Sequence, residues 1–538
     1  MVAMRTKAAL EYGTIPRMVL ASCDQYAATT AIVDGGQRVT FAEVSDQMLR
    51  AGAALIELGV QPGDRVAVWA PNSAAGVVAA LGALSTGAWL VPVNTRYKPR
   101  EVEYVLNKTE AKALLATAGF MGIETDELDG DEAQGQWHEN LIHLPGPGQH
   151  DTASWSAFLA TTTDQATEEL HKRIAAGNPG DVSDILFTSG TTGKPKGVML
   201  RHGTSLEAFV AMNAGFDLRA GDVHLVVPPF FHCFGYKGGW MLDLMFGATC
   251  VPMPVLSGDE VVQLIERERV THVSGPPTVL ATIIDHPRRD AFDLTSLRLA
   301  FLAATMIPER LVRRLHDELG VQTVMTGYGL TENHGIGSFT RPETPLDLVS
   351  KSVGQLWPGV EARVVDEQGS PVPPGERGEI LLGGYAHMSG YYQDEEATAS
   401  AIRDGWLHTG DIGSLDDEGY LRILDRKKDM YIVGGFNVAP AEVEDVLHGL
   451  PFVSQIAVIG VPDERLGEVG AAFVVLHEGA HADESEVLDF ARAQMANYKV
   501  PRYVCFVPSL PMNSTGKVQK AELRAGFTPP PRRDHERS

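Results

Sequence analysis

The chain is poor in cysteine, poor in positive charge and short of unbroken apolar runs. Its four cysteines, Cys23, Cys233, Cys250 and Cys505, are scattered over 538 residues. They form neither the close pairs of a metal site nor a disulfide framework, and a reducing cytoplasm is the expected setting. Lys and Arg number 45 against 69 Asp and Glu, a formal charge of −24. Such a charge excludes a general affinity for nucleic acid or anionic membranes, so a bound polyanion has to be held by local donors. Arg5 and Lys7 stand near the start, but Glu11 and Arg17 interrupt the apolar core that an export signal needs. Ser73 to Val93 is uncharged over about the length of a membrane span, yet Ser85-Thr86-Gly87 and Pro92 break it. Strand Arg65 to Ala70, helix Ala74 to Leu84 and strand Ala88 to Val93 is the expected reading, with no integral membrane segment.

One stretch is dense in donors: Asp184-Ile-Leu-Phe-Thr-Ser-Gly-Thr-Thr-Gly-Lys-Pro-Lys-Gly-Val198. Ile185 to Phe187 reads as a buried strand that empties into hydroxyls, glycines and lysines. Gly190 and Gly193 let the backbone turn with its N–H groups exposed, Thr188, Ser189, Thr191 and Thr192 add hydroxyls, and Lys194 and Lys196 add charge. The spacing is not that of a Walker loop, and Pro195 disfavours the helix such a loop must enter. Gly197 to Leu200 reads as a second strand, so the expectation is a hairpin whose tip wraps a triphosphate.

The length implies at least two domains. Thr40-Phe-Ala-Glu43 is a capping box opening a helix that Gly59 closes. From Val66 to Ala116, and again from Val223 to Met325, strands and helices alternate at the short spacing of parallel βαβ units. Residues 120–180 are polar and without evident period, and are expected to form surface connections. Tyr328-Gly-Leu-Thr-Glu332 follows a strand end, where open α/β sheets bind ligands; its hydroxyl and carboxylate suit Mg²⁺ and phosphate oxygens. From Gly354 short strands and turns predict a β-rich subdomain holding Asp404-Gly-Trp-Leu-His-Thr-Gly-Asp411. The charged run Asp425-Arg-Lys-Lys-Asp429 marks a change of domain, followed by a small α/β domain in which Pro511-Met-Asn-Ser-Thr-Gly-Lys517 is a polar turn. The expected division is 1–427, 428–528 and a disordered tail at 529–538.

Together and in this order, these stretches resemble the adenylate-forming superfamily of acyl- and aryl-CoA synthetases, adenylation domains and beetle luciferases. The resemblance spans nearly the whole chain. It implies an α/β fold with a large N-terminal domain of two wound subdomains plus a β-rich one, and a small mobile α+β C-terminal domain. It also implies a two-step reaction: a carboxylate attacks the α-phosphate of MgATP to give acyl-AMP and pyrophosphate, and the thiol of CoA then displaces AMP. By motif, Thr188 to Lys196 looks like the loop over the β- and γ-phosphates. Tyr328, Gly329, Thr331 and Glu332 resemble the motif that borders adenine, touches phosphate and ligates Mg²⁺. Ala303-Ala304-Thr305 sits where the family has its adenine wall, although glycine is commoner there, while Asp411 and Arg426 match the ribose contacts. Lys428 falls at the hinge, Gly434 and Gly435 line the CoA passage, and Lys517 matches the lysine that bridges carboxylate and α-phosphate.

Acid specificity in this superfamily comes from the segments matching Phe230 to Gly239 and Asn333-His-Gly335. The first contains no aspartate to hold an amino acid's ammonium, which favours a CoA ligase for an acid without an α-amino group. Phe231, Phe234 and Tyr236 suggest an apolar acyl pocket or core packing; His232 and Lys237 either contact a ring oxygen or gate it, and Asn333 and His334 border it. The segment looks most like actinobacterial acyl-CoA ligases of fatty-acid and steroid catabolism, including the type that activates a propanoate on a ring remnant. Two other readings stand beside it: an adenylation enzyme loading a carrier protein, and a nucleotide-binding interaction protein that has lost catalysis. Implied partners are the acid, ATP and CoA, with a homodimer left open.

Overall fold

The computed structural model describes residues 11–120, 125, 128, 136–149, 151–188, 195–303, 307–426, 429–433, 436–463, 466–495, 497–513 and 517–529. The chain packs as two units, Met1–Glu361 with Leu382–Leu407, and Ala362–Leu381 with His408–Ser538. The boundary expected at 427/428 therefore falls inside the second unit. The division falls inside strand Trp406–Leu415, between Leu407 and His408, and from Asp411 onward that strand pairs with Leu421–Arg426 of the second unit.

The first unit is built on two sheets. One has seven strands in the order Gly390–Tyr391, Lys196–Arg201, Val182–Thr188, Trp89–Pro92, Arg65–Trp69, Ala113–Ala116 and Leu141–His143. The other has nine, with the parallel run Leu299–Ala303, His272–Gly275, Val223–Val226 and Thr249–Pro252 near its middle. Val, Ile, Leu and Ala fill these strands because both faces are covered. Helices Gly258–Glu268, Pro277–Ile284 and Glu309–Leu319 lay Val261, Val262, Ile265, Leu280, Ile283, Val312 and Leu315 into one core against the nine-stranded sheet. The uncharged stretch after Ser73 is a helix, Ala74–Ser85, capped by the Ser73 hydroxyl and buried along almost its whole length. Burial on all sides, not insertion in lipid, explains its lack of charge. Among the described residues no helix is long and apolar enough to cross a membrane.

The capping box at Thr40 and Glu43 opens helix Phe41–Glu57 as expected. The reading of 120–180 as connections is corrected: it contains helices Ala153–Leu159 and Asp164–Ala176, capped by the Thr152 and Thr163 hydroxyls. Ala166, Leu170 and Ile174 recur every fourth residue and pack with Ala53. A stripe this narrow on an otherwise charged helix is easily taken for no period at all.

The second unit holds Tyr431–Val433 and Phe436–Val438 in one sheet with the long antiparallel pair Val453–Asp463 and Gly467–Leu476, and Tyr503–Phe506 joins that pair in parallel. Helices Pro440–Leu447 and Glu484–Gln494 contribute Val443, Leu447, Val487 and Ala491 to its core.

Candidate active site

The donor-rich stretch is carried by the antiparallel hairpin Val182–Thr188 and Lys196–Arg201, whose last register pair is Thr188 with Lys196. Ser189, Gly190, Thr191, Thr192, Gly193 and Lys194 lie outside the described residues. The hairpin's base is well held. The Tyr104 hydroxyl donates to the Pro195 carbonyl at 3.3 Å. On the far side of Lys196–Arg201, Gly390–Tyr391 pairs with Met199 and Val198, and the Lys196 ammonium stands 5.2 Å from the centre of the Tyr391 ring.

On the neighbouring sheet Ala303 and Gly327 are register partners at the ends of parallel strands, and Tyr328 is the last residue of its strand. Ala304 and Thr305 lie outside the described residues. Gly329 has no room for a side chain, because a Cβ there would come within 2.2 Å of the Gly335 backbone. The chain then makes a short turn, Thr331–Asn333. Asn333 Oδ1 accepts from Leu330 N at 2.8 Å and its amide donates to Ile336 O at 2.7 Å. The turn aims Glu332, whose Oε1 accepts from the Tyr391 hydroxyl at 2.9 Å and whose carbonyl accepts from Met388 N at 2.8 Å. Burial and the Glu332 charge hold the Tyr391 phenol well above its ordinary pKa, so it is a donor at any physiological pH.

Glu332 is half-buried and Thr331 is buried beside it. Among the described residues no cluster of three or more His, Cys, Asp or Glu could hold a metal ion by itself. A single carboxylate whose partner is a neutral phenol fits Mg²⁺, which keeps most of its water and takes substrate phosphates as ligands.

In the second unit Asp411 is buried and sits directly across the sheet from Arg426, so two residues expected to meet ribose are register partners. The Thr409 hydroxyl accepts from Asp411 N at 3.0 Å and donates to Ile380 O at 2.6 Å, which fixes the strand there. Lys517 is exposed on a turn closed by Asn513: Lys517 N donates to Asn513 Oδ1 at 2.8 Å, and Asn513 N donates to Lys517 O at 2.8 Å. Lys428, Gly434 and Gly435 lie outside the described residues.

The acyl segment divides into half-buried and fully buried side chains. Phe231, His232 and Phe234 are half-buried. His232 Nδ1 accepts from Phe234 N at 3.2 Å, and Phe234 meets Phe301 edge-on at 5.4 Å. The other four residues proposed to border a pocket are sealed in the fold. Tyr236 is fully buried and stacked on Trp240 at 4.7 Å. Lys237 is fully buried, with its ammonium 2.9 Å from Asp184 Oδ2 and 2.5 Å from Ser205 Oγ. Asn333 spends both ends of its amide on the turn, as above. His334 is buried with Nδ1 at 2.8 Å from the Ala386 carbonyl, and burial pushes its imidazole down to about 3. The expectation that Lys237 contacts a ring oxygen or gates a pocket is therefore corrected: it is the cation of a buried pair.

One residue that holds this segment had no signal in the sequence. Asn72 Oδ1 accepts from Phe230 N at 2.7 Å, while its amide donates to Pro228 O at 3.0 Å and Met253 O at 3.2 Å. It fastens the entry of the segment to the end of a strand. A lone Asn after a proline reads as a loop residue, and its partners lie more than a hundred residues away, 156 to Pro228.

A model of the AMP-binding enzyme family matches residues 19–392, and one of the AMP-binding enzyme C-terminal domain matches residues 442–517. The chain belongs to the AMP-binding enzyme family. It is 46% identical to a 3-[(3aS,4S,7aS)-7a-methyl-1,5-dioxo-octahydro-1H-inden-4-yl]propanoyl:CoA ligase of Mycobacterium tuberculosis, over 92% of this chain and 95% of the relative. It is 43% identical to the ligase of the same name from Rhodococcus jostii, over 95% and 98%. The crystal structure of an anthranilate CoA ligase in complex with anthranoyl-AMP superposes with a TM-score of 0.86 at 29% identity, covering 96% of this chain and 97% of that one. The chain is an AMP-forming acyl-CoA ligase of that family.

Proposed function

We propose that the acid activated by this ligase is a propanoate borne on a reduced ring system with ketone oxygens, and that the reaction takes place in the cytoplasm. The observation that carries this reading is the 46% and 43% identity, over more than nine-tenths of the chain, to two ligases named for one such acid. The acyl segment supports it. Phe231 and Phe234 offer half-buried aromatic surface, His232 stands between them, and no carboxylate is present from Phe230 to Gly239.

In the first step the substrate carboxylate attacks the α-phosphate of ATP and pyrophosphate leaves; in the second the CoA thiol attacks the acyl carbon and AMP leaves. Thr188 and Lys196, with the tip Ser189 to Lys194 between them, hold the β- and γ-phosphates by hydroxyls, backbone N–H groups and charge. Ala303, Ala304, Thr305, Tyr328 and Gly329 border adenine. Asp411, with Arg426, accepts from the ribose hydroxyls. Glu332 and Thr331 hold the magnesium ion and phosphate oxygens, and the ion, when bound, offsets phosphate charge. Lys517 lowers the repulsion between the incoming carboxylate and the phosphates, charge that grows in the transition state. The working domains are 1–427 and 428–528, turning about Lys428, with Gly434 and Gly435 lining the CoA passage.

The test is incubation with MgATP, CoA and a pooled panel of fatty, aromatic and ring-bearing propanoic acids, reading AMP and thioester masses. A CoA ester of a ring-bearing propanoate is expected. Preference for a straight-chain or aromatic acid would overturn the substrate, and acyl-AMP accumulating without a CoA ester would move the acceptor to a carrier protein.

A further inference from the structure

Tyr391 stands between the two parts of the site that meet phosphate. Its hydroxyl donates to Glu332 Oε1 at 2.9 Å, and its ring lies 5.2 Å from the Lys196 ammonium. Its backbone is fixed independently of both contacts. It pairs with Val198 in the return strand of the phosphate hairpin, and its N–H donates to Thr398 Oγ1 at 2.8 Å. Thr398 in turn donates to Asp394 O at 2.8 Å, in the turn that opens helix Glu395–Ala401.

The phenol is a single neutral donor. A hydrogen bond from it restricts the glutamate rotamer yet leaves Oε2 and the other lone pair of Oε1 for a cation and its waters. A lysine or arginine in its place would have competed with the metal for the carboxylate charge. An aromatic face beside Lys196 attracts the ammonium while leaving its three N–H donors able to reach phosphate.

We propose that Tyr391 is a positioning residue for adenylation, whose hydroxyl orients the Glu332 carboxylate toward the magnesium ion and whose ring keeps Lys196 of the phosphate hairpin in register with it. The proposal rests on the reading of Glu332 as a metal ligand.

Mn²⁺ is the probe, bound to the full-length protein with α,β-methylene-ATP and followed by the loss of the free-ion paramagnetic signal. Tyr391→Phe keeps the ring and removes only the donor. It should weaken Mn²⁺ binding by roughly tenfold, the size of one hydrogen bond to a charged acceptor, with an unchanged thermal midpoint. In a Glu332→Gln background the same substitution should change Mn²⁺ binding little, which a packing role would not predict. Tyr391→Leu should in addition raise the KM for ATP above that of the Phe variant. Wild-type affinity in Tyr391→Phe, or additive effects of the two substitutions, overturns the orienting role while Glu332→Gln still reports a metal ligand. Equal KM values in the Leu and Phe variants overturn the part assigned to the ring. Wild-type Mn²⁺ binding by Glu332→Gln overturns the metal-ligand reading, and this proposal with it.

Discussion

The ammonium of Lys237 lies in the interior 2.9 Å from the Asp184 carboxylate, and neither side chain is exposed. Asp184 is on the strand that carries the phosphate hairpin, and Lys237 is on the acyl segment 53 residues later. The pair thus ties the segment expected to meet the acid to the one expected to meet ATP. Removing one partner strands a buried charge, so Lys237→Ala should lose about 3–5 kcal/mol of stability in a denaturant titration, whereas replacing both partners by apolar residues of similar volume should recover most of it. If Lys237 instead met the acid, Lys237→Ala would raise the KM for the acid at unchanged stability.

Buried histidines set the acid limb of stability. His202, His272 and His334 are each pushed down to about 3, chiefly by burial. The folded chain keeps them neutral where the unfolded chain, near pKa 6.5, would protonate them. Stability is therefore intact above that pH and falls as the pH drops from about 6.5 toward 3, each group adding a slope of about 1.4 kcal/mol per pH unit. Thermal midpoints measured from pH 8 to 4 should be flat and then fall; His334→Asn should soften the fall. A pH-independent midpoint over that range would contradict it.

At the scale of elements, the acyl segment is an irregular helix. A three-residue turn, Cys233–Gly235, leads into Tyr236–Met241, which is kinked at Gly239, and then into Leu242–Phe246. A kink of this kind places side chains where a straight α-helix cannot. Gly235 permits the entry: a Cβ there would lie 2.2 Å from the carbonyl oxygens of Pro228 and Pro229, whereas one at Gly238 would meet only ordinary side-chain contacts from 3.4 Å. Gly235→Ala should displace the segment and raise the KM for the acid several-fold more than that for ATP, and Gly238→Ala should be close to neutral. Equal effects at both positions would remove the distinction.

What could be read from the sequence divides along the same line. The phosphate hairpin, the Thr40 capping box and the strand Tyr503–Phe506 were legible because their signals are local: a run of donors, a Thr with Glu three residues on, an apolar run between Arg502 and Pro508. The adjacency of Asp411 and Arg426 follows from a hairpin and was within reach. The burial of Lys237, the stapling by Asn72 and the meeting of Tyr391 with Glu332 join distant segments, 59 residues apart in the last case. No local pattern encodes those pairings. The same holds for helix Asp164–Ala176, whose buried stripe is defined by distant partners, Ala53 with Leu20, Leu49 and Ile56.

The whole molecule has to serve two reactions that want different groups near the same phosphate. Adenylation brings two anions together, a repulsion that the Lys517 charge is proposed to offset; thiolysis needs a path for the long pantetheine arm of CoA. Lys517 is exposed on a turn of the second unit, and its backbone N–H donates to Asn513 Oδ1, a bond that its substitution by Ala keeps. Lys517→Ala should reduce adenylation by a factor of roughly 10² or more, the scale of losing a charge that stabilises a transition state, while thiolysis of supplied acyl-AMP stays largely intact. Lys428→Pro should do the reverse, because a proline restricts the backbone rotation that a domain hinge requires. Half-reactions read separately, pyrophosphate release for the first and CoA ester from synthetic acyl-AMP for the second, make the comparison. Opposite defects in the two variants mean that one chain alternates between two domain arrangements; equal loss of both half-reactions in either variant would mean that both steps use the same one.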